Sequence, residues 1–174
     1  MRSQARSTAL CGLMAALSIV FLMMGSLIPA ALYACPILAM AALLPIRELF
    51  GRTSALTTYA AVSLLAILLV PDKELALLYT FFGWYVPLQP VLDRLRPRLV
   101  RILIKLALAN LATVTLYSLL VFVFQMQAVI EELEELNAIW LAILLLSANC
   151  LFVLTDILLH KLARKWNARF SSRV

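Results

Sequence analysis

This chain has 174 residues, of which 64% are hydrophobic and only 14% charged, and its mean hydropathy is +0.99. A soluble domain of this size has too little interior to bury so much apolar surface, so the composition excludes that class. The net charge of +6 is spread along the chain, and we predict no nucleic-acid partner. The composition indicates an all-α, polytopic protein of the lipid bilayer, with one integral membrane domain over residues 1–174, in a bacterial-type inner membrane.

The apolar runs of the chain are long enough for six membrane crossings joined by short loops, at about 20 residues for each crossing. Pro36 interrupts the short second run, and Pro87 and Pro90 are predicted to bend the far end of the fourth. In chain order, the predicted spans cover about 8–28, 31–45, 54–70, 75–92, 102–124 and 138–163.

The basic residues predict the orientation of these spans. With the N-terminus in the cytoplasm, 14 of the 15 Lys and Arg residues lie on the inner side, and only Lys73 lies outside. The opposite orientation would place those 14 residues outside the cell, against the positive-inside rule. We therefore predict six spans with both termini in the cytoplasm.

A short charged turn joins the predicted third and fourth spans. Pro71 is predicted to end the incoming helix, and Asp72 to cap the N-terminus of the outgoing one. Glu74 lies in the first turn of that second helix, where the helix dipole favours negative charge. This pattern predicts a transmembrane hairpin with its turn at the outer surface.

The outer segment 125–137 combines apolar residues at helical spacing with four glutamates on the other face. This pattern is typical of an amphipathic helix that lies on a membrane surface. One interpretation is a solvated cap that binds no ligand. The other is a lid over an outward-facing pocket, whose acidic face would favour cationic solutes.

Four small residues share one face of the first predicted helix, because they are spaced by four, three and four positions. They are Ala5, Ala9, Gly12 and Ala16. Small residues at such spacing let another helix approach closely. The resulting small-residue stripe serves either packing within this chain or the docking of a partner subunit.

The sequence predicts no enzymatic activity and no metal or cofactor. It has one histidine, His160, and it contains no Ser/His/Asp set, no HExxH motif and no glycine-rich phosphate loop. Its three cysteines lie within apolar runs, as is typical of helix packing. Asp156 is the one acid well inside a span. It either forms an ion pair with Lys105 on span five or serves as a proton relay. His160 lies one turn after Asp156 on span six.

Span four is rich in aromatic residues, which either form an interfacial belt or line a pocket for a flat, mostly apolar molecule. Tyr79 lies toward the outer end of this span, and Tyr33 and Tyr117 are predicted in the same outer half of the protein. Asn110 and Asn149 lie within spans five and six. They form either an interhelical hydrogen bond or a polar contact to a solute.

Six short spans, cytoplasmic termini and an alanine-rich first helix, ALCGLMAAL at residues 9–17, together resemble the substrate-binding S components of energy-coupling factor (ECF) vitamin transporters. The resemblance covers essentially the whole chain in architecture. It implies that a vitamin or another small micronutrient binds on the outer side. The loaded subunit would then topple in the membrane against a coupling membrane subunit, driven by two cytoplasmic ATPases.

The resemblance also implies roles for particular residues. The small-residue stripe of Ala5, Ala9, Gly12 and Ala16 would dock on the coupling subunit. The candidate solute ligands lie in the outer half and are Tyr33, Asp72, Lys73, Glu74, Tyr79, Tyr117 and Asn149. The alternative function is a non-transporting, MreD-like scaffold of the inner membrane, which would bind its partners through the same stripe and would have a closed outer half.

Overall fold

The computed structural model describes residues 2–28, 31–125, 127, 129 and 137–170. Over these residues the regular secondary structure is helical and contains no strand, so the prediction of an all-α fold is confirmed for them. The predicted amphipathic helix over 125–137 falls largely on residues outside the described ranges and stays a prediction. The helices are α1 (Arg2–Leu27), α2 (Ala34–Ala41), α3 (Leu43–Leu69), α4 (Lys73–Phe82), α5 (Tyr85–Leu92), α6 (Arg98–Phe122) and α7 (Ala138–Phe170).

Five stretches in the described part of the chain are long and apolar enough to cross a membrane. They are Ala5–Leu27, Leu43–Leu69, Lys73–Leu92, Arg98–Phe122 and Ile139–Ala168. The first, fourth, fifth and sixth predicted spans each correspond to one of them. The lengths and composition of these helices are those of a multi-pass membrane protein.

The predicted second and third spans meet within α3, and the backbone explains why. Ala42, between α2 and α3, keeps helical backbone angles, and its N–H bonds to the Leu38 carbonyl at 3.0 Å. The helical backbone is therefore continuous over residues 34–50, which extends five residues past the predicted end of span two. Gly51 then breaks α3 with a φ of +86°, a conformation that glycine adopts at little cost. This break lies between the positions predicted for spans two and three.

The turn between α3 and α4 is closed by its own charged residues. α3 ends at Leu69, and Asp72 Oδ1 accepts a hydrogen bond from the Glu74 N–H at 3.0 Å. The predicted N-cap is therefore confirmed. Lys73 Nζ donates to the carbonyls of Ile67 and Val70, at 2.9 and 3.1 Å, and so satisfies acceptors that the end of α3 leaves free.

The chain forms two compact units, and the first comprises Met1–Val91 and Leu158–Val174. Ser18 on α1 donates hydrogen bonds to the carbonyls of Met14 and Ala39, at 2.9 and 3.1 Å, and so joins α1 to α2. Bulky apolar side chains from α1, α3 and α4 form the core of the unit. The fully buried ones include Leu22, Leu43, Ile46, Val62 and Leu75.

The second unit comprises Leu92–Ile157. Along α6, the buried apolar residues are spaced by three, four and four positions, which places them on one face of the helix. They are Ala109, Ala112, Leu116 and Leu120. Large apolar residues between these positions, such as Leu111 and Val114, are exposed in the structure and are suited to contact lipid.

Candidate functional site

The predicted fourth span is a broken helix in the structure. α4 ends at Phe82 and α5 begins at Tyr85, with a turn at Gly83 and Trp84 between them. Pro87 and Pro90 explain part of this break, because neither has an N–H to donate to the carbonyl four residues earlier. The Gly83 carbonyl accepts instead from the Val86 N–H, at 3.3 Å. The sequence predicted a bend at the two prolines, and the break begins earlier, at Gly83.

Two side chains of α3 donate hydrogen bonds to carbonyls of this broken helix. The Tyr59 hydroxyl donates to the Thr80 carbonyl. Arg47 Nη1 donates at 2.8 Å to the Val86 carbonyl, which has no helical partner because residue 90 is proline. Unsatisfied backbone groups are highly unfavourable at membrane depth. The two α3 side chains therefore stabilise an interruption that the membrane would otherwise disfavour.

Arg47 also belongs to a buried polar network that links three helices. The residue is only 8% exposed, and its guanidinium bonds to Glu48 Oε1 at 2.7 Å and to Gln89 Oε1 at 3.0 Å. The amide nitrogen of Gln89 lies 2.9 Å from Nδ1 of His160. We call Glu48, Arg47, Gln89 and His160 the Arg47 network. It joins α3, α5 and the C-terminal part of α7, all within the first unit.

Sequence reasoning missed this network, since it counted Arg47 only as a marker of the inner membrane surface. A signal was present in the sequence. Pro90 follows Val86 by four residues, so the Val86 carbonyl needs a donor from elsewhere in the chain. What the sequence does not tell is which residue provides that donor.

A second polar group in the first unit consists of Ser18, Tyr59, Ser63 and Tyr79, which we call the hydroxyl cluster. The rings of Tyr59 and Tyr79 are 6.0 Å apart, with 40° between their planes. Tyr79 is fully buried, and its hydroxyl lies beside that of Ser18. The buried hydroxyls of Tyr79 and Ser63 make no hydrogen bond of ordinary geometry to a described residue. The cluster thus offers uncharged polar groups and aromatic surface next to the broken helix.

Gly83 lets the broken helix pack closely against the hydroxyl cluster. A Cβ atom at this position would lie 2.6 Å from the Tyr79 carbonyl oxygen and 3.0 Å from the Tyr59 ring. We expect Gly83→Ala to lower the free energy of unfolding by about 1–3 kcal/mol, as overpacking does. Gly12→Ala is the matched control, because no atom in the described ranges lies within 4 Å of the added atom. Unfolding in mixed detergent micelles would measure both variants, and equal losses would contradict the close packing at Gly83.

The second unit contains a buried cation between two carboxylates. Lys105 is 6% exposed, and its Nζ lies 2.7 Å from Asp93 Oδ1 and 2.9 Å from Asp156 Oδ2. The predicted ion pair between Asp156 and Lys105 is therefore confirmed, and Asp93 is an acid that the sequence analysis missed. Asn149 donates a hydrogen bond to Asn110 at 2.9 Å, which confirms the interhelical interpretation of these two residues.

The structure places five of the candidate solute ligands in the first unit. Tyr33 is 47% exposed and lies just before α2. Asp72 and Lys73 close the turn between α3 and α4, and Glu74 follows them in the first turn of α4. Tyr79 lies within the hydroxyl cluster. The remaining two, Tyr117 and Asn149, lie in the second unit.

The small-residue stripe is exposed along its length. Ala5, Ala9, Gly12 and Ala16 all lie on the exposed face of α1. The opposite face carries Ser18, Leu22 and Gly25, which are buried in the first unit. Packing against the described part of the chain therefore does not account for the stripe, and the docking interpretation stays a prediction.

Comparisons with protein-family models, curated proteins and solved structures found no match for this chain. Its function must therefore be inferred from the broken helix, the two polar groups of the first unit and the exposed stripe.

Proposed function

We propose that this protein is the solute-binding membrane subunit of an uptake system, similar to an ECF S component, and that a separate ATPase module drives it. The broken helix α4–α5, with the hydroxyl cluster packed against it, is the observation that carries this proposal. Transporters commonly build solute sites from discontinuous membrane helices, whose interruptions present polar groups within the bilayer. A vitamin or another small micronutrient is the proposed solute.

The hydroxyl cluster favours the uncharged part of such a solute. The hydroxyls of Tyr79 and Ser63 can donate and accept without net charge, and the rings of Tyr59 and Tyr79 supply stacking surface. Burial of a charged group beside them without a counter-charge would be strongly unfavourable. Among the candidate ligands, Tyr79 is therefore the best supported. Asp72 and Lys73 are less so, because their side chains already close the turn before α4.

We also propose six membrane crossings with both termini in the cytoplasm. The break at Gly51 allows residues 34–50 and 52–69 to cross separately, and 17 residues is the lower end of the length that a crossing needs. The Arg47 network supports this arrangement, because Arg47 is predicted on the inner side and Gln89 and His160 lie near the predicted inner ends of spans four and six. The same orientation places 14 of the 15 Lys and Arg residues on the inner side, as the positive-inside rule requires.

The exposed small-residue stripe is the proposed docking surface for the coupling membrane subunit, which two cytoplasmic ATPases would drive. Close approach of a partner helix needs the absence of side-chain bulk. No atom of the described residues lies within 4 Å of a Cβ added at Gly12, so the described part of the chain leaves this surface open.

Bulk added to the stripe should therefore abolish partner association without loss of folding. Gly12→Leu and Ala16→Leu are expected to reduce co-purification of the partner at least tenfold, while elution volume and thermal stability stay near wild type. Leu17→Phe is the matched control, since it enlarges an exposed side chain of α1 outside the stripe. Affinity purification from the native host in mild detergent, followed by mass spectrometry, measures the association. Unchanged association in both stripe variants would exclude the stripe as the docking surface.

The same purification tests the proposed function itself. Recovery of a coupling membrane subunit with two ABC-type ATPases supports it and leaves the solute to be identified. Recovery of cell-shape or division proteins would overturn it in favour of the MreD-like scaffold. If the protein is recovered alone, a thermal-shift screen against water-soluble vitamins follows, and the absence of any stabilising compound would count against solute binding.

A further inference from the structure

Hydrogen-bond chemistry in the Arg47 network determines which way the Gln89 amide points. A guanidinium has only donors, so the atom of Gln89 that faces Arg47 Nη1 at 3.0 Å must be the amide oxygen. The amide nitrogen is therefore the atom that faces His160 Nδ1, at 2.9 Å. Gln89 is 2% exposed and lies on a helix that Arg47 also contacts through the Val86 carbonyl. Its amide group is thus held from two directions.

The orientation of Gln89 in turn determines the state of the His160 ring. An amide nitrogen can only donate, so Nδ1 must be the acceptor in this contact. An imidazole nitrogen accepts only when it carries no proton. His160 is therefore neutral in this structure, with its ring hydrogen on Nε2.

We propose that His160 is a proton-binding site that controls the contact between α5 and the C-terminal part of α7. A proton on Nδ1 would place an N–H donor against the amide donor of Gln89 and would break the hydrogen bond. The Gln89 amide cannot turn over to compensate, because its oxygen would then leave Arg47 and its nitrogen would face the guanidinium. Proton uptake therefore weakens the attachment of the C-terminal part of α7 to α5 within the first unit.

The charged residues around His160 come from α3 and from α7 itself. From α3, Arg47 brings a positive charge into the network, and the neighbouring Glu48 is engaged by the Arg47 guanidinium. On α7 itself, Asp156 lies one turn before His160 and is paired with Lys105, and Arg164 lies one turn after it. The hydrogen bond to Gln89 requires an unprotonated Nδ1 and is lost when Nδ1 takes up a proton. Imidazoles change charge between about pH 8 and pH 5.

This proposal does not depend on solute binding, because it concerns a contact near the predicted inner surface. A fall in cytoplasmic pH would loosen the segment that carries Lys161, Arg164 and Lys165. These residues lie beyond the His160 contact on α7 and are predicted to face the cytoplasm. The proton would thus act on the part of the chain nearest to any cytoplasmic partner.

The test uses the fact that His160 is the only histidine of the chain. Full-length protein without a histidine tag is labelled with ¹⁵N-histidine, and its ring nitrogens are followed by NMR from pH 8 to pH 5. At pH 8 we expect one form with a hydrogen on Nε2 and an unprotonated Nδ1. Gln89→Leu should replace this form by a mixture of both tautomers. A hydrogen on Nδ1 in the wild type, or the same tautomer mixture in wild type and Gln89→Leu, would overturn the proposal.

A stability measurement keeps the proposal testable if Gln89→Leu does not fold. His160→Asn provides a side-chain oxygen as an acceptor in place of Nδ1, and this oxygen does not titrate in the range tested. Wild-type protein should lose thermal stability as the pH falls from 8 to 5, and His160→Asn should lose at most half as much. Equal losses in the two proteins would show that His160 does not control the transition.

Discussion

Replacement of Arg47 by methionine should destabilise the first unit by about 3–5 kcal/mol, the range for removal of one partner from a buried ion pair. Methionine retains apolar bulk but provides no donor. The substitution leaves the Val86 carbonyl, the Gln89 amide oxygen and the Glu48 carboxylate without the partner that they have in the structure. A typical hydrogen bond between membrane helices contributes only about 0.6 kcal/mol, so the expected loss exceeds that of a single contact.

Arg52→Met is the matched control for this prediction. Arg52 lies on the same helix, carries the same charge and is exposed, so its replacement should change stability by less than about 0.5 kcal/mol. Arg47→Lys should fall between the two, because an ammonium group keeps the charge but does not reproduce the planar set of donors. Unfolding in mixed micelles would measure all three variants. Equal stabilities of Arg47→Met and Arg52→Met would contradict the role of the Arg47 network.

Local features of this fold were predictable from the sequence because their causes lie within a few residues. The Asp72 side chain caps the N–H of Glu74, only two positions away. The end of α3 just before Pro71 depends on the same short stretch. The long apolar runs likewise predicted α1, α6 and α7, since each run needs only its own residues to form a helix. For α7, the helix extends beyond the predicted span at its C-terminal end, to Phe170.

For the broken helix, the sequence predicts where backbone donors are missing but not which residues replace them. The positions of Pro87 and Pro90 indicated where helical donors are missing, because that loss is local. The replacement donors come from far away in sequence: Arg47 is 39 residues before Val86, and Tyr59 is 21 residues before Thr80. No regular spacing in a single sequence identifies partners that lie so far apart along the chain. Only the packing of α3 against α4 and α5 brings them together.

The candidate ligands show the same limit from the functional side. Asp72, Lys73 and Glu74 were predicted as solute ligands because charged residues between two apolar spans stand out in sequence. In the structure, two of these side chains satisfy backbone groups of adjacent helices. Tyr79 stood out less, yet it lies in the buried hydroxyl cluster. The side chains that a membrane helix needs for its own ends are thus easily taken for ligands when only the sequence is read.

Among the residues that the structure describes, each unit has one buried cation that holds several acceptors. Arg47 does this in the first unit through planar, multiple donors, and Lys105 does so in the second through one ammonium between two carboxylates. The physical consequences differ. Loss of Arg47 takes a donor away from mostly neutral acceptors, whereas loss of Lys105 leaves two like charges facing the site from which the cation was removed.

Lys105→Met should therefore lower the stability of the second unit by about 3–5 kcal/mol, as expected when a buried charge loses its partner. Asp93 and Asp156 would then share a poorly solvated site, because their side chains are only 26% and 20% exposed. Arg98→Met, at an exposed position of the same helix, is the control and should have little effect. Equal unfolding curves for the two variants would contradict the ion-pair interpretation.

Removal of one acid separates the structural role of Asp156 from a proton relay. Asp156→Ala should lower thermal stability by less than Lys105→Met, because Lys105 keeps Asp93 at 2.7 Å. In the background of Lys105→Met, Asp156→Asn should restore part of the lost stability, since it removes one of the two like charges. This restoration is what an ion pair predicts. If Asp156→Ala instead left stability unchanged while uptake of the solute failed, Asp156 would act in proton transfer rather than in holding α6 to α7.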